Sequence, residues 1–321
     1  DDHLDGGDGR DTLQAGAGND TLLGGRGSDV LDGGGGFDTA SYIGHGAAVT
    51  VNMTTGTASS VIAAVTETET DTLAGIERIV GSSYNDQIVA GATTEVDAGA
   101  GDDWVWSGPG GNRLVGGLGE DSISYGSSTA GVSVSLATGA TSGGWAQGDS
   151  ITGFEHLYGS AHDDTLTGNA LANTIFGNGG ADVISAGGGN DVVMGGAGAD
   201  RLSGGSGVDT FRFGLASDSA GGAANHDWIM DFQKGLDRID LRGIDANAHV
   251  GGFQSFTRFI GNSNPEVSSD FTAGTISWRQ TGGDTLIDIN ISDNTTNGWD
   301  APEMQIRLDG LYTLTVSDFI L

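Results

Sequence analysis

A nine-residue phrase, Gly-Gly-x-Gly-x-Asp-x-apolar-x, recurs without insertion in two runs of this chain. Residues 177–212 read GNGGADVIS, AGGGNDVVM, GGAGADRLS and GGSGVDTFR. Residues 6–41 read GGDGRDTLQ, AGAGNDTLL, GGRGSDVLD and GGGGFDTAS. Glycine suits turn positions with positive φ or close backbone contact. A turn rich in glycine can aim several main-chain carbonyls at one point, and the aspartate at position six adds a carboxylate oxygen beside them. Such an oxygen donor set, with no cysteine in the chain, suits Ca²⁺ rather than zinc or copper. The last three residues of a phrase, such as Val183-Ile184-Ser185, form a short strand with its middle side chain pointing inward.

Two phrases complete one coil of 18 residues, so alternate phrases lie on the same side, about 4.8 Å apart. This register stacks Asp182 over Asp200, Asp191 over Asp209, Asp11 over Asp29 and Asp20 over Asp38. Carboxylates so placed repel strongly unless a cation sits between them. Ile184, Val193, Leu202 and Phe211 form one system of inward ladders, and Leu13, Leu22 and Leu31 another. A glycine-rich linker would need neither the period of nine nor the apolar eighth residue.

These tandem phrases resemble the RTX family, for which the nonapeptide is a recognised calcium signature. The resemblance implies an all-β, largely parallel β-roll that binds several Ca²⁺ ions. The candidate ligands at position six are Asp2, Asp11, Asp20, Asp29, Asp38, Asp86, Asp103, Asp121, Asp164, Asp182, Asp191, Asp200 and Asp209. Two phrases are degraded: SGPGGNRLV carries Asn112 at that position and GNALANTIF carries Asn173. Asparagine keeps an oxygen but loses the charge, so weaker or absent sites are expected there. Residues 91–97 fit no clean phrase.

The chain of 321 residues has 60 Gly, 43 Asp plus Glu, 12 Lys plus Arg and a net charge of −31. Much of that charge lies on repeated aspartates, where calcium would neutralise it. The acidity argues against a nucleic-acid partner. Without cysteine there are no disulfides, and calcium would replace them as the staple. No apolar run approaches the roughly 18 residues of a membrane span. The opening DDHLD reads as the tail of an earlier phrase, with Asp2 at position six and Leu4 at position eight. The chain is therefore expected to be the C-terminal part of a larger protein.

A longer duplication lies between the glycine runs. Residues 38–90 contain DTASY, VTVNMTTGTA and DTLAGIERIVGSSYNDQIVA; residues 121–168 contain DSISY, VSVSLATGAT and DSITGFEHLYGSAHDDTLTG. Tyr42 matches Tyr125, and Glu77 matches Glu155. Alternating stretches such as Val49–Met53 and Val132–Leu136 read as strands. The inserts are expected to extend the stack or form short lateral strands. Glu77 and Glu155 are expected to be structural rather than ligands or catalytic acids.

After Phe213 the phrase stops. The segments HDWIMDFQKGLDRIDLRGID (226–245), TLIDINI (285–291) and MQIRLDGLYTLTVSDFIL (304–321) resemble the C-terminal domain of the serralysin family of secreted metalloproteases. That resemblance implies antiparallel strands capping the roll and a C-terminal signal for type I secretion. It makes Asp231, Asp237 and Asp240 candidate calcium or capping residues, and leaves no clear site in the stretch 290–300. The protease itself is absent: none of His3, His45, His156, His162, His226 and His249 belongs to a His-Glu-x-x-His motif. No nucleophile elbow or Walker loop occurs either. His156, His162 and Glu155 form at best a weak candidate cluster.

The expected organisation is a roll run at 1–41, a β insert at 42–97, a short run at 98–124, a second insert at 125–158, a run at 159–212 and a capping and secretion domain at 213–321. The expected function is a non-enzymatic, calcium-binding region of a secreted bacterial protein, folding outside the cell and exported by type I secretion machinery. One alternative is a module of a polysaccharide-acting enzyme. Trp104, Trp106 and Trp145 would then be platforms for a cell-surface glycan, although packing accounts for them more simply. Another is a calcium-dependent surface-layer, adhesin or filament protein that self-associates.

Overall fold

The structure, a computed structural model, describes residues 1–62, 67–221, 226–246, 254–256, 258–260, 273–291 and 302–321. His249 and residues 292–300 of the doubtful stretch lie outside these. The described residues are all-β, with short 3₁₀ turns at Gly144–Ala146, Ala216–Ser219 and Val316–Asp318. No helix among them is long and apolar enough to cross a membrane. The chain divides into two compact units, Asp1–Tyr158 and Gly159–Leu321.

In the second unit the nonapeptide coils as its period dictates. Strand Val183–Gly188 runs parallel to Arg201–Ser206, with Val183 opposite Arg201 and Ile184 opposite Leu202. Thr174–Gly179, Val192–Ala197 and Thr210–Arg212 form the facing ladder, again in steps of 18 residues. The inward residues Ile184, Leu202, Val193 and Phe211 are at most 1% exposed. Glycine is required where the turn of one coil presses on a carbonyl of its neighbour. A Cβ on Gly207 (φ +139°) would lie 1.6 Å from the Gly189 carbonyl oxygen of the preceding coil.

The ladders then pass into the C-terminal segment. Asp227–Ile229 pairs parallel with Arg201–Ser206, and Arg238–Asp240 pairs parallel with Thr210–Arg212. Thr275–Thr281, Asp284–Asn290 and Met304–Leu308 form an antiparallel meander joined to the roll through Asp227–Ile229. The terminal strand Phe319–Ile320 pairs parallel with Ile239 and Asp240, and Phe319 is buried.

In the first unit one wall is parallel throughout. It runs from His3–Asp5 through Thr21–Leu23, Thr39–Ser41, Arg78–Val80, Glu95–Ala100 and Arg113–Leu118 to Ser150–Thr152. Leu22, Ala40, Ile79, Val96 and Leu114 fill it, fully buried. Leu13, by contrast, is only half-buried, because its coil is the first and has a neighbour on one side.

The opposite wall absorbs the first insert. Val30–Gly35 pairs parallel with Glu67–Ala74, which turns antiparallel through Thr57–Ile62 to Val49–Asn52. Parallel pairing resumes at Gln87–Val89 and continues through Trp104–Trp106 and Ser122–Ser124 to His156–Tyr158. The first insert is thus a meander within the wall. The second forms a small antiparallel hairpin, Ser133–Ser135 with Thr141–Ser142.

Candidate metal centre

Each phrase aspartate uses its two oxygens differently. The first accepts the backbone N–H of the equivalent residue one coil earlier. Asp182 N–H donates to Asp200 Oδ1 at 2.8 Å, Asp191 to Asp209 at 3.0 Å, Asp11 to Asp29 at 2.8 Å and Asp20 to Asp38 at 2.8 Å. The stacked pairs expected from the period are therefore present, but an N–H bridges each pair. Asp2 donates likewise to Asp20, while its own side chain stays exposed on the first coil.

The second oxygen is the informative one. Oδ2 of Asp11, Asp20, Asp29, Asp38, Asp103, Asp121, Asp182, Asp191, Asp200, Asp209 and Asp227 is buried with no hydrogen-bond partner. In the phrases that open with glycine it folds back over that residue: a Cβ on Gly195 would lie 2.1 Å from Asp200 Oδ2. A buried, unpaired carboxylate oxygen is costly. Burial raises the Asp182 carboxyl to about 8, with the Asp200 and Asp164 charges adding to the shift. Burial likewise raises Asp103 to about 7, Asp227 to about 9, and Asp121, Asp191 and Asp200 to about 6.

Asn112 reveals what these oxygens face. Its Oδ1 accepts the Thr94 N–H, as a phrase aspartate would. Its amide nitrogen donates to the turn carbonyls of Gly108 at 2.9 Å and Gly110 at 3.1 Å. An ionised aspartate oxygen there would meet the same carbonyls, acceptor against acceptor. With the carboxylate ionised, a cation reconciles them, and the donors are hard oxygens of the kind Ca²⁺ takes. Among the described residues no three His, Cys, Asp or Glu side chains gather into a metal cluster. The remaining ligands would then be main-chain carbonyls. The residues fit calcium, and the eleven aspartates with a free Oδ2 would hold it.

Other position-six residues accept hydrogen bonds from within their own turns. Asp86 accepts the Ser82 N–H at 2.6 Å and its hydroxyl at 2.7 Å; Asp164 accepts the same groups of Ser160 at 2.6 and 2.9 Å. Asn173 accepts the Asn169 N–H at 2.7 Å and donates to the Asn169 side chain at 3.1 Å. Glu77 and Glu155 accept the N–H groups of Asp38 and Asp121, both at 2.9 Å. His156 lies 3.9 Å from Glu120.

In the C-terminal segment, Asp237 accepts the N–H groups of Asp209 and Gln233. Asp231 caps the last glycine turn through the N–H groups of Gly204 and Gly205. Asp240 stands apart from the files. Hydrogen bonds from Arg242, with help from Arg212, lower its carboxyl to about 2.

Three file members lie outside the sequence-derived candidates. Asp71 accepts the Asp29 N–H at 2.9 Å and the Tyr42 hydroxyl at 3.1 Å. Its duplicate Asp149 accepts the Asn112 N–H at 2.8 Å and the Tyr125 hydroxyl at 3.1 Å. Asp227 accepts the Asp200 N–H at 2.9 Å. Each begins an Asp-x-apolar triplet, Asp71-Thr-Leu, Asp149-Ser-Ile and Asp227-Trp-Ile, which is the back half of the phrase without its glycines.

Coils of 18 residues, glycine turns and files of inward-folded aspartates define an RTX-type β-roll protein. The chain belongs to the family Peptidase M10 serralysin C terminal, which matches residues 5–321. It is 30% identical over 111 residues to Serralysin A of Dickeya chrysanthemi, covering 35% of this chain and 20% of that protein. The match therefore spans about a fifth of the relative's length. Among solved structures it is similar to the AlgE6R3 subunit of the Azotobacter vinelandii mannuronan C5-epimerase. That likeness has 30% identity and a TM-score of 0.35, covering 50% of this chain and 78% of that one. It is also similar to the extracellular lipase LipA of Serratia marcescens, with 17% identity and a TM-score of 0.32, covering 76% of this chain and 40% of that one.

Proposed function

We propose that this chain is a non-catalytic, calcium-dependent folding and export region of a secreted protein. The observation that carries the reading is the set of buried Oδ2 atoms without partners, recurring from phrase to phrase and mostly folded over glycine turns. In calcium-poor cytosol these oxygens oppose folding and keep the chain export-ready. In millimolar extracellular calcium, the range that suits extracellular modules, the ion would bind only the folded roll and contribute stability by mass action. The family to which the chain belongs supports type I secretion machinery as the partner. The terminal Phe319–Ile320 strand supports a signal that is read first and paired afterwards, since the same residues are buried once folded.

One secretion assay tests both halves. The full chain and a form lacking Phe319–Leu321 are expressed equally in a host carrying a type I exporter, with and without calcium in the medium. The full chain is expected in the medium, resistant to protease only when calcium is present. The truncated form is expected to stay inside, yet to bind calcium once purified. Undiminished export of the truncated form would place the signal elsewhere. Equal protease resistance without calcium would refute the folding half.

A further inference from the structure

We propose that the first unit carries a binding site for a neutral saccharide, in a cleft beside Trp106 and Trp145. The cleft encloses about 360 Å³, within the range of small-molecule sites. Two indoles and the ring of Pro109 supply flat apolar faces; Thr50, Gln87 and Ser127 supply uncharged donors and acceptors. No charged side chain lines it, although the chain holds 43 acidic and 12 basic residues. A ligand matched to that lining has an apolar face, hydroxyls along its edge and no charge, as a pyranose ring does. Polyanions find no cation there, and cations find no carboxylate.

The tryptophans are departures from the repeat. Side chains at positions seven and nine of a phrase face outward, and most are smaller or polar, as in Thr12 and Gln14 or Arg201 and Ser203, with Phe176, Met194 and Trp228 as larger single occupants. The strand Trp104–Trp106 instead places an indole at both, each half-buried, with ring centroids 5.4 Å apart. Trp104 also packs on Tyr158 at 4.6 Å, which braces the row from behind. Trp145 sits on the 3₁₀ turn Gly144–Ala146, its backbone N–H donated to Ser128 Oγ at 3.0 Å. Counted back from the duplicated aspartates, the first copy has Glu67 where the second has Trp145. The duplication has therefore diverged at this wall of the cleft. Both inserts contribute to the cleft, Thr50 from the first and Ser127 with Trp145 from the second.

The full chain in millimolar calcium is titrated with cellohexaose, laminarihexaose, maltohexaose, an N-acetylglucosamine hexamer and a polyuronate hexamer, by calorimetry and tryptophan fluorescence. At least one neutral oligomer should bind saturably with micromolar to millimolar affinity, and the polyuronate should not. Trp145→Ala should weaken binding at least about tenfold, as loss of an aromatic anchor does, with calcium content unchanged. Should that variant fail to fold, Gln87→Ala, at an exposed position, should still weaken binding severalfold. Absence of saturable binding by every neutral oligomer up to about 10 mM, well into the weak range, would overturn the proposal. So would tighter binding of the polyuronate, or equal binding by the variants.

Discussion

The turn of residues 195–200 and the turn of residues 107–112 present the same backbone problem and solve it in opposite ways. In the first, Asp200 sends one oxygen to the Asp182 N–H and leaves the other buried without a partner. In the second, Asn112 makes the equivalent first bond and satisfies the turn carbonyls with its own amide hydrogens. The carboxylate turn is incomplete until a cation arrives, whereas the amide turn is complete as synthesised. Ser82 and Ser160 achieve the second outcome by another route, lending an N–H and a hydroxyl to Asp86 and Asp164. A chain that mixes the two kinds of turn has fixed points around which calcium-dependent coils can assemble.

The largest expected difference between the two kinds comes from side-chain removal. Asp200→Ala should strand the buried Asp182 N–H, costing about 1–3 kcal/mol. It should also lose one calcium, about 2.7 kcal/mol when calcium exceeds its Kd a hundredfold. Ser160→Ala should cost about 1–3 kcal/mol through the loss of one buried bond, with the calcium count unchanged. Thermal melts and calorimetric stoichiometry on both variants check this. Equal calcium counts for the two would erase the distinction.

A smaller and graded effect is expected from pH. In the metal-free chain the file carboxyls have folded values near 6 for Asp191 and Asp200, about 8 for Asp182 and about 9 for Asp227, raised chiefly by burial. Unfolded aspartates titrate near about 4. The fold therefore binds more protons than the unfolded chain between these limits. Its stability falls as pH rises from about 4, where unfolded aspartates ionise, to about 9, the highest folded value. A proton thus substitutes for the cation. Saturating calcium should reverse the slope, because the ion needs the ionised form. Circular dichroism melts in chelator that rise with pH over this window would contradict the assignment of these oxygens.

The parts of the molecule legible in the sequence are those where the period of nine is intact. There the step of 18 residues sets the register, the inward residue and the aspartate pairs, as Asp182 with Asp200 and Ile184 with Leu202 illustrate. Legibility fails where a turn is closed by other means. Asp71, Asp149 and Asp227 escaped the pattern because no glycine pair precedes them, although the Asp-x-apolar triplet survives. Asn112 and Asn173 read as weaker or absent calcium sites, and in the structure the amide of each donates within its own turn. The path of the inserts depends on long-range pairing, antiparallel in one wall of a parallel roll, which no local spacing encodes.

The central claim, that an aspartate turn needs a cation where an asparagine turn does not, is tested most directly by Asp191→Asn. The substitution keeps the shape and the acceptor for the Asn173 N–H, and it exchanges the lone Oδ2 for an amide. Folding followed by circular dichroism across a calcium titration, beside Asp191→Ala, is the measurement. The account predicts that Asp191→Asn binds one calcium fewer and reaches its folded midpoint at lower calcium than the parent, whereas Asp191→Ala reaches it at higher calcium. A midpoint for Asp191→Asn as high as that of Asp191→Ala would contradict it.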